Sequence, residues 1–289
     1  MTDQPRYRAT ANSLTVGFVF GVLSASRLSG PVLVALLGEL GLHPSAARNA
    51  LTRMMHMGSL TTARVGRTGL YALADQPRRK YRQVEGTTLD EPWDGSFHCI
   101  VYDIPERERG FRDRFRHVAA FNTYGSLRPG VLVSPRTHSP QMDEVIAARP
   151  SGVRIHCARL HPTDTAHAQQ MATEAWDLAA LAGRYTRVIA TIDAERRAGI
   201  GPLDDPWPAV RRLRRLYDEV VGLQFDDPDL PPELLPAAWP RSAYWQRLFT
   251  LNGEWGTKLL PPLRGIADAV DRQGVCEYYQ PIWADAAHP

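Results

Sequence analysis

The sequence predicts an α+β protein of several domains, and three observations carry that reading. The chain has 289 residues, more than one compact core usually holds. Apolar residues recur at helical spacing near both ends, with short β-prone runs between them. In the first 86 residues basic side chains outnumber acidic ones eleven to four, whereas acids prevail in the rest. Hydrophobic residues make up 44% and charged residues 22%, enough apolar mass for real cores. No apolar run reaches the roughly 18–20 residues needed to cross a bilayer, and Leu14 to Leu23 falls short of it. Arg6 and Arg8 precede that run as they would in a signal sequence, but the residues after it read as a folded domain, so no targeting segment or membrane partner is expected. Cys99, Cys157 and Cys276 are far apart and form no C-x-x-C pair. That excludes a disulfide framework or a cysteine zinc site and fits a reducing, cytoplasmic setting.

Charge divides unevenly along the chain. Of its 34 Lys/Arg and 31 Asp/Glu, residues 1–86 hold eleven basic and four acidic, leaving 23 and 27 for the rest. The N-terminal segment is therefore about +7 and the remainder about −4, the pattern of a polyanion-binding module attached to a body without that role.

Within residues 1–86 three helices precede a hairpin. Leu14, Phe18, Val19, Val22 and Leu23 recur at helical spacing, as do Val32, Leu33, Leu36, Leu37 and Leu40. Gly41 closes the second helix and His43-Pro44 opens the third, leaving a turn of helix-turn-helix length. On the third helix Ala47, Ala50, Leu51 and Met54 share the inner face. Ser45, Arg48, Asn49, Thr52, Arg53 and His56 share the outer one. Arginine reads guanine, asparagine reads adenine, and serine or threonine reads either. A helix chosen only for solubility would carry Glu and Lys, and this one has neither. After Gly58, two β-prone stretches, 60–65 and 70–73, flank Gly66-Arg67-Thr68-Gly69 as a hairpin. With Arg64, Arg67 and Thr68 near its tip, that hairpin is a wing placed to touch backbone or minor groove. The expectation is a winged helix-turn-helix whose partner is double-stranded DNA.

Arg78-Arg79-Lys80-Tyr81-Arg82 forms a basic connector. A middle domain at 87–165 then alternates strand, helix, strand, helix, strand: Phe97 to Tyr102, Arg107 to Phe121, Gly130 to Ser134, Asp143 to Ala148, and Val153 to Leu160. That order predicts a ferredoxin-like α+β domain. Cys99 and Cys157 fall in its strands and are expected to be buried and inert. Helices dominate 166–289: one over Ala166 to Ile192, one over Pro206 to Phe225 with Arg211, Arg212, Arg214 and Arg215 on its outer face, and one beginning at Tyr244.

The chain resembles the PaaX-like regulators, repressors of phenylacetic acid catabolism. The resemblance rests on 45–54 (Ser-Ala-Ala-Arg-Asn-Ala-Leu-Thr-Arg-Met), Gly66 to Leu73, Trp93-Asp94-Gly95, Tyr102 to Glu106 with Arg112-Asp113, Leu127 to Pro135, Trp176-Asp177-Leu178 and Asp229 to Pro240. These motifs keep the family's order over residues 14 to 255. The wing departs from the family, with Thr68-Gly69-Leu70 where a Ser-Tyr-Tyr-like run is usual, and the tail after Trp255 matches nothing. The resemblance implies a homodimeric repressor released from a palindromic operator by a small effector, an aryl-acyl-CoA such as phenylacetyl-CoA. Polyphosphorylated CoA calls for basic residues beside an apolar pocket. Arg128, Trp176, Arg184, Tyr185, Arg187 and Trp239 are the candidates.

A rival reading is enzymatic. Asp103 ends the first strand of the middle domain, a position that resembles the metal-binding Asp of small CRISPR-associated endonucleases. Such a nuclease needs carboxylates converging on a metal, and dimerisation would pair two copies of Asp103. His98, His156, His161 and His167 form no metal-ligand motif, and no nucleophile elbow, P-loop or dinucleotide fingerprint occurs. No catalytic residue, metal or cofactor is expected.

Overall fold

The computed structural model describes residues 11–74, 93–136 and 139–281. The connector at 78–82 lies outside them. Contacts divide the chain into two units, one of Met1–Thr88, Arg187–Gly222 and Arg241–Pro289, the other of Leu89–Thr186 and Leu223–Pro240. The segment 166–289, expected as a third domain, contributes to both.

The first unit opens with α1 (Ala11–Val22), β1 (Ala25–Ser29), α2 (Gly30–Glu39), α3 (Pro44–His56), β2 (Leu60–Val65) and β3 (Thr68–Leu73). Helix α2 ends as the sequence predicts. Gly41 adopts φ +90°, the Leu42 N–H reaches the Leu37 carbonyl and the Gly41 N–H that of Gly38, a left-handed cap that glycine alone adopts without strain. Gly58 repeats the arrangement after α3. The sequence did not reveal β1. Its five residues sit between two apolar helices and pair with β3 through Leu28↔Tyr71 and Ser29↔Leu70.

The sheet of this unit runs β2-β3-β1-β8, and its last strand comes from the far end of the chain. Helix α9 (Arg241–Val270) continues through Pro261 and Pro262, and β8 (Glu277–Tyr278) then pairs with β1 as Ala25↔Tyr278 and Arg27↔Glu277. The tail after Trp255 is thus the end of α9 and an edge strand. Arg264 fastens it, donating to the carbonyls of Leu23 (3.1 Å), Ser24 (3.3 Å) and Tyr279 (3.0 Å) with its guanidinium 4.6 Å from the Tyr278 ring centre. Burial lowers the Arg264 pKa and, as the first cause, raises that of Tyr278.

Helices α7 (Leu178–Ala198) and α8 (Trp207–Asp226) correct two expectations. The single helix foreseen over 166–192 is two, α6 (Thr165–Ala175) and α7, broken at Trp176-Asp177, where the Asp177 carboxylate accepts the Ala180 N–H at 2.9 Å. The four arginines of α8 do not share an outer face. Arg212 bonds Glu195 and lies over Trp255, while Arg214 bonds Thr15 of α1 and lies over Phe18. Arg211 and Arg215 are the exposed pair.

The second unit holds β4 (Phe97–Asp103), α4 (Arg109–Phe121), β5 (Gly125–Arg128), β6 (Val131–Ser134), α5 (Pro140–Ala147) and β7 (Arg154–Leu160). Its antiparallel sheet runs β5-β6-β4-β7, a βαββαβ arrangement. The sequence showed one strand fewer. β5 is only four residues long with Ser126 and Arg128 exposed, which hides its pattern. Alternation along β4 sends Ile100 to a core with Phe111, Phe115 and Leu132, and sends Phe97 and Cys99 to another with Ala168, Met171 and Leu234. The sheet is therefore covered on both faces. Cys99 is buried but Cys157 is exposed, contrary to expectation, because β7 is an edge strand.

Arg264→Met keeps much of the side chain's bulk but removes all three carbonyl contacts. It should cost about 1.5–3 kcal/mol, the range for hydrogen bonds to a charged group, while Arg215→Met stays within about 0.5 kcal/mol. Urea unfolding of the two variants checks the difference.

Candidate nucleic-acid interface

Helix α3 is amphipathic with a sharp division. Ala47, Ala50, Leu51 and Met54 are buried, while Ser45, Arg48, Asn49, Thr52, Arg53 and His56 are exposed. The helix contains no acidic residue. His43 caps its start, its Nδ1 accepting the Ser45 N–H at 3.4 Å and lying 2.8 Å from the Ser45 hydroxyl. The Ser45 hydroxyl is thereby tied to the helix start, whereas Arg48, Asn49 and Thr52 lie one turn further along the outer face.

Through Gly58 the chain turns directly into the hairpin. In β2 only Leu60 is buried, and the pairing runs to Arg64↔Gly69 and Val65↔Thr68. Gly66 takes φ +58° at the turn. Arg64 and Arg67 are exposed there, and Val65 is 42% exposed, with no core beneath the tip to claim it. Thr68 differs from its neighbours. It is half-buried and lines a cavity beside the hairpin turn. Five of the eight residues thus lie on one helix face and two at the wing tip.

The six residues proposed for an effector are less uniform. Tyr185 is buried, bonds Asp227 and meets the Trp239 ring edge-on at 5.9 Å, while Arg184 pairs with Asp226. Trp176 presses on β5 so closely that a Cβ at Gly125 would sit 2.5 Å from its ring. Trp176 and Trp239 pack against the same core. Arg128 and Arg187 are exposed, and Arg187 belongs to the first unit, the other five to the second.

Asp103 ends β4, where the sequence places it, and its carboxylate pairs with Arg154 at 2.6 Å. The open cavity of about 710 Å³ beside it is lined by Arg109, Arg112 and Arg116 as well as Glu106. Arg112 holds the Glu106 carboxyl below the usual carboxylate range. Among the described residues no three or more His, Cys, Asp or Glu side chains gather as metal ligands. His98 is buried with its Nδ1 2.5 Å from the Tyr124 hydroxyl, His156 and His161 are exposed, and His167 accepts the Thr163 N–H.

Three family models match the chain in sequence order: PaaX-like protein over residues 20–77, the PaaX protein central Cas2-like domain over 90–172, and the PaaX-like protein C-terminal domain over 176–252. The chain belongs to the PaaX-like family. The βαββαβ unit is its Cas2-like part, and α3 with the β2–β3 hairpin falls inside the first match. Among solved structures, this PaaX-like protein is similar to the uncharacterized protein Rv0674 from Mycobacterium tuberculosis, at 25% identity and a TM-score of 0.55, over 91% of this chain and 99% of that one. No curated protein matches. Among the described residues no helix is long and apolar enough to cross a membrane.

Because the outer face of α3 and the wing tip support no core, Arg48→Ala, Asn49→Ala and Arg67→Ala should each leave stability within about 0.5 kcal/mol. Leu51→Ala on the buried face should lose about 2–5 kcal/mol. Chemical unfolding of the four variants tests whether the exposed face is kept for something other than folding.

Proposed function

We propose that this PaaX-like protein is a cytoplasmic transcriptional repressor that binds a double-stranded DNA operator through a winged helix-turn-helix. One observation carries the reading: α3 exposes Arg48, Asn49, Thr52 and Arg53 on a face without a single acid, and the hairpin after it exposes Arg64 and Arg67. A helix of that composition suits the major groove, where base edges present a distinct donor and acceptor pattern. An arginine-tipped hairpin beside it suits the phosphates or the minor groove. Ser45 and Thr68 complete the proposed contact set.

The protein acts as a homodimer on an imperfect palindrome, with half-sites about one helical turn apart. A small effector releases it, and the family points to an aryl-acyl-CoA. For the effector to switch the protein it must bind the DNA-free and DNA-bound forms with different affinity. Arg128, Trp176, Arg184, Tyr185, Arg187 and Trp239 are the residues proposed to meet it. No catalytic step is assigned; the exposed Asp103 carboxylate pairs with Arg154.

Selection of duplexes from a random library by the full-length chain, followed by gel shift, tests the reading. The protein should enrich a palindrome without added metal. Arg48→Ala and Asn49→Ala should each cost about 1–3 kcal/mol and relax one position per half-site. Arg64→Ala and Arg67→Ala should weaken all sequences alike and reduce the salt dependence. Equal losses on selected and random duplexes for Arg48→Ala would overturn base reading by α3.

A further inference from the structure

The tail after α9 runs beside the hairpin turn and borders with it a half-open cavity of about 550 Å³. Small-molecule sites span roughly 300–1,000 Å³, so the space suits a compact ligand. Its polar walls come from two directions. Ser29 and Thr68 belong to the sheet that carries the wing, and Asp271, Arg272 and Gln273 belong to the tail. Pro31, Ala269 and Val270 make its apolar side. The tail also reaches the wing turn, since a Cβ at Gly66 would lie 3.9 Å from the Gln273 side-chain oxygen.

Ser29 is the informative residue. It occupies the N-cap of α2 yet makes no capping bond. It is 1% exposed, and its hydroxyl has no hydrogen-bond partner. Serine at that position ordinarily accepts an N–H of the first turn, and a buried hydroxyl without a partner is costly. The positive end of α2 and the Arg272 guanidinium favour an anion on this side of the cavity. The other side has the opposite character. Helix α9 ends there at Val270, which places its negative end on this side, although the Ala267 and Val270 carbonyls already accept the Asp271 and Arg272 N–H groups. The buried Asp271 carboxylate adds a full negative charge, one oxygen accepting the Cys276 N–H at 2.7 Å. A simple anion would meet that carboxylate at a cost, and a simple amine would meet Arg272.

We propose that this cavity binds a free amino acid with a large apolar side chain. The carboxylate meets the Ser29 hydroxyl, the start of α2 and Arg272. The ammonium meets Asp271 and the carbonyl end of α9. The side chain lies against Pro31, Ala269 and Val270. A ligand held there touches Thr68 beside the hairpin turn and alters the DNA affinity of the protein, a consequence that rests on the operator-binding reading. The site itself does not.

Calorimetry on the full-length chain with L-phenylalanine, 3-phenylpropanoate and phenethylamine separates the two charges. Phenylalanine should bind, and each compound lacking one charge should bind at least tenfold more weakly. Ser29→Ala and Arg272→Ala should each weaken phenylalanine at least fivefold. Ser29→Ala should not lower the unfolding temperature without ligand, because the hydroxyl it removes has no partner. Absence of phenylalanine binding, or binding unchanged in both variants, would overturn the site. Equal binding of 3-phenylpropanoate would overturn the zwitterion assignment. In gel shift with the selected duplex, saturating phenylalanine should change affinity at least fivefold. Unchanged DNA affinity with intact ligand binding would overturn the regulatory role alone. Failure to select any duplex would overturn the operator-binding reading and leave the calorimetric result standing.

Discussion

The guanidinium of Arg264 holds together two stretches of backbone from opposite ends of the chain. Leu23 and Ser24 end the turn between α1 and β1, Tyr279 comes just after β8, and all three carbonyls accept from this one side chain. Burial works against its charge, and the carbonyls together with the face of the Tyr278 ring offset that cost. With this contact in place, the Tyr279 N–H bonds the Ser24 carbonyl, Arg27 pairs with Glu277, and the Cys276 sulfur accepts the Ser29 N–H. The edge of the sheet that supports the wing is thereby covered, and an open edge is the part of a sheet most exposed to unwanted pairing. The position of α3 and its hairpin depends on this sheet.

Much of the N-terminal module was legible because each part obeys a local rule. Gly41 and Gly58 mark helix ends through their left-handed backbone, His43-Pro44 marks a start, and the apolar spacing of α3 divides its faces. The middle unit was legible through the alternation in β4 and the amphipathic α4. What escaped was nonlocal. β1 is a strand because β3 and β8 flank it, and nothing within Ala25–Ser29 distinguishes it from the helical runs on either side. β8 has two residues and no pattern at all. β5 carries too few inward residues to alternate visibly. The break at Trp176-Asp177 interrupts a run of good helix formers, and only the capping carboxylate of Asp177 hints at it.

The candidate site obeyed the same division. The outer face of α3 could be named residue by residue from periodicity and side-chain chemistry. The cavity beside the hairpin turn could not, because Ser29 and Arg272 are brought together by the path of the tail. Arginines misled most. On α8 four in close succession look like one charged face, yet Arg212 and Arg214 turn back onto Trp255 and Phe18, where their long stems pack and their charges find partners.

The pairing of β1 with β8 also has a kinetic side. Residues some 250 positions apart must meet, as Arg27 and Glu277 do, and contacts so distant in sequence form slowly because a long loop must close first. During synthesis the helices and hairpin of the N-terminal module emerge early, as domains do on the ribosome. Their sheet remains an edge short until Glu277 and Tyr278 leave the exit tunnel. A part of the protein made early is completed late, so a nascent chain carries α3 before it carries the strand that seals the sheet behind it.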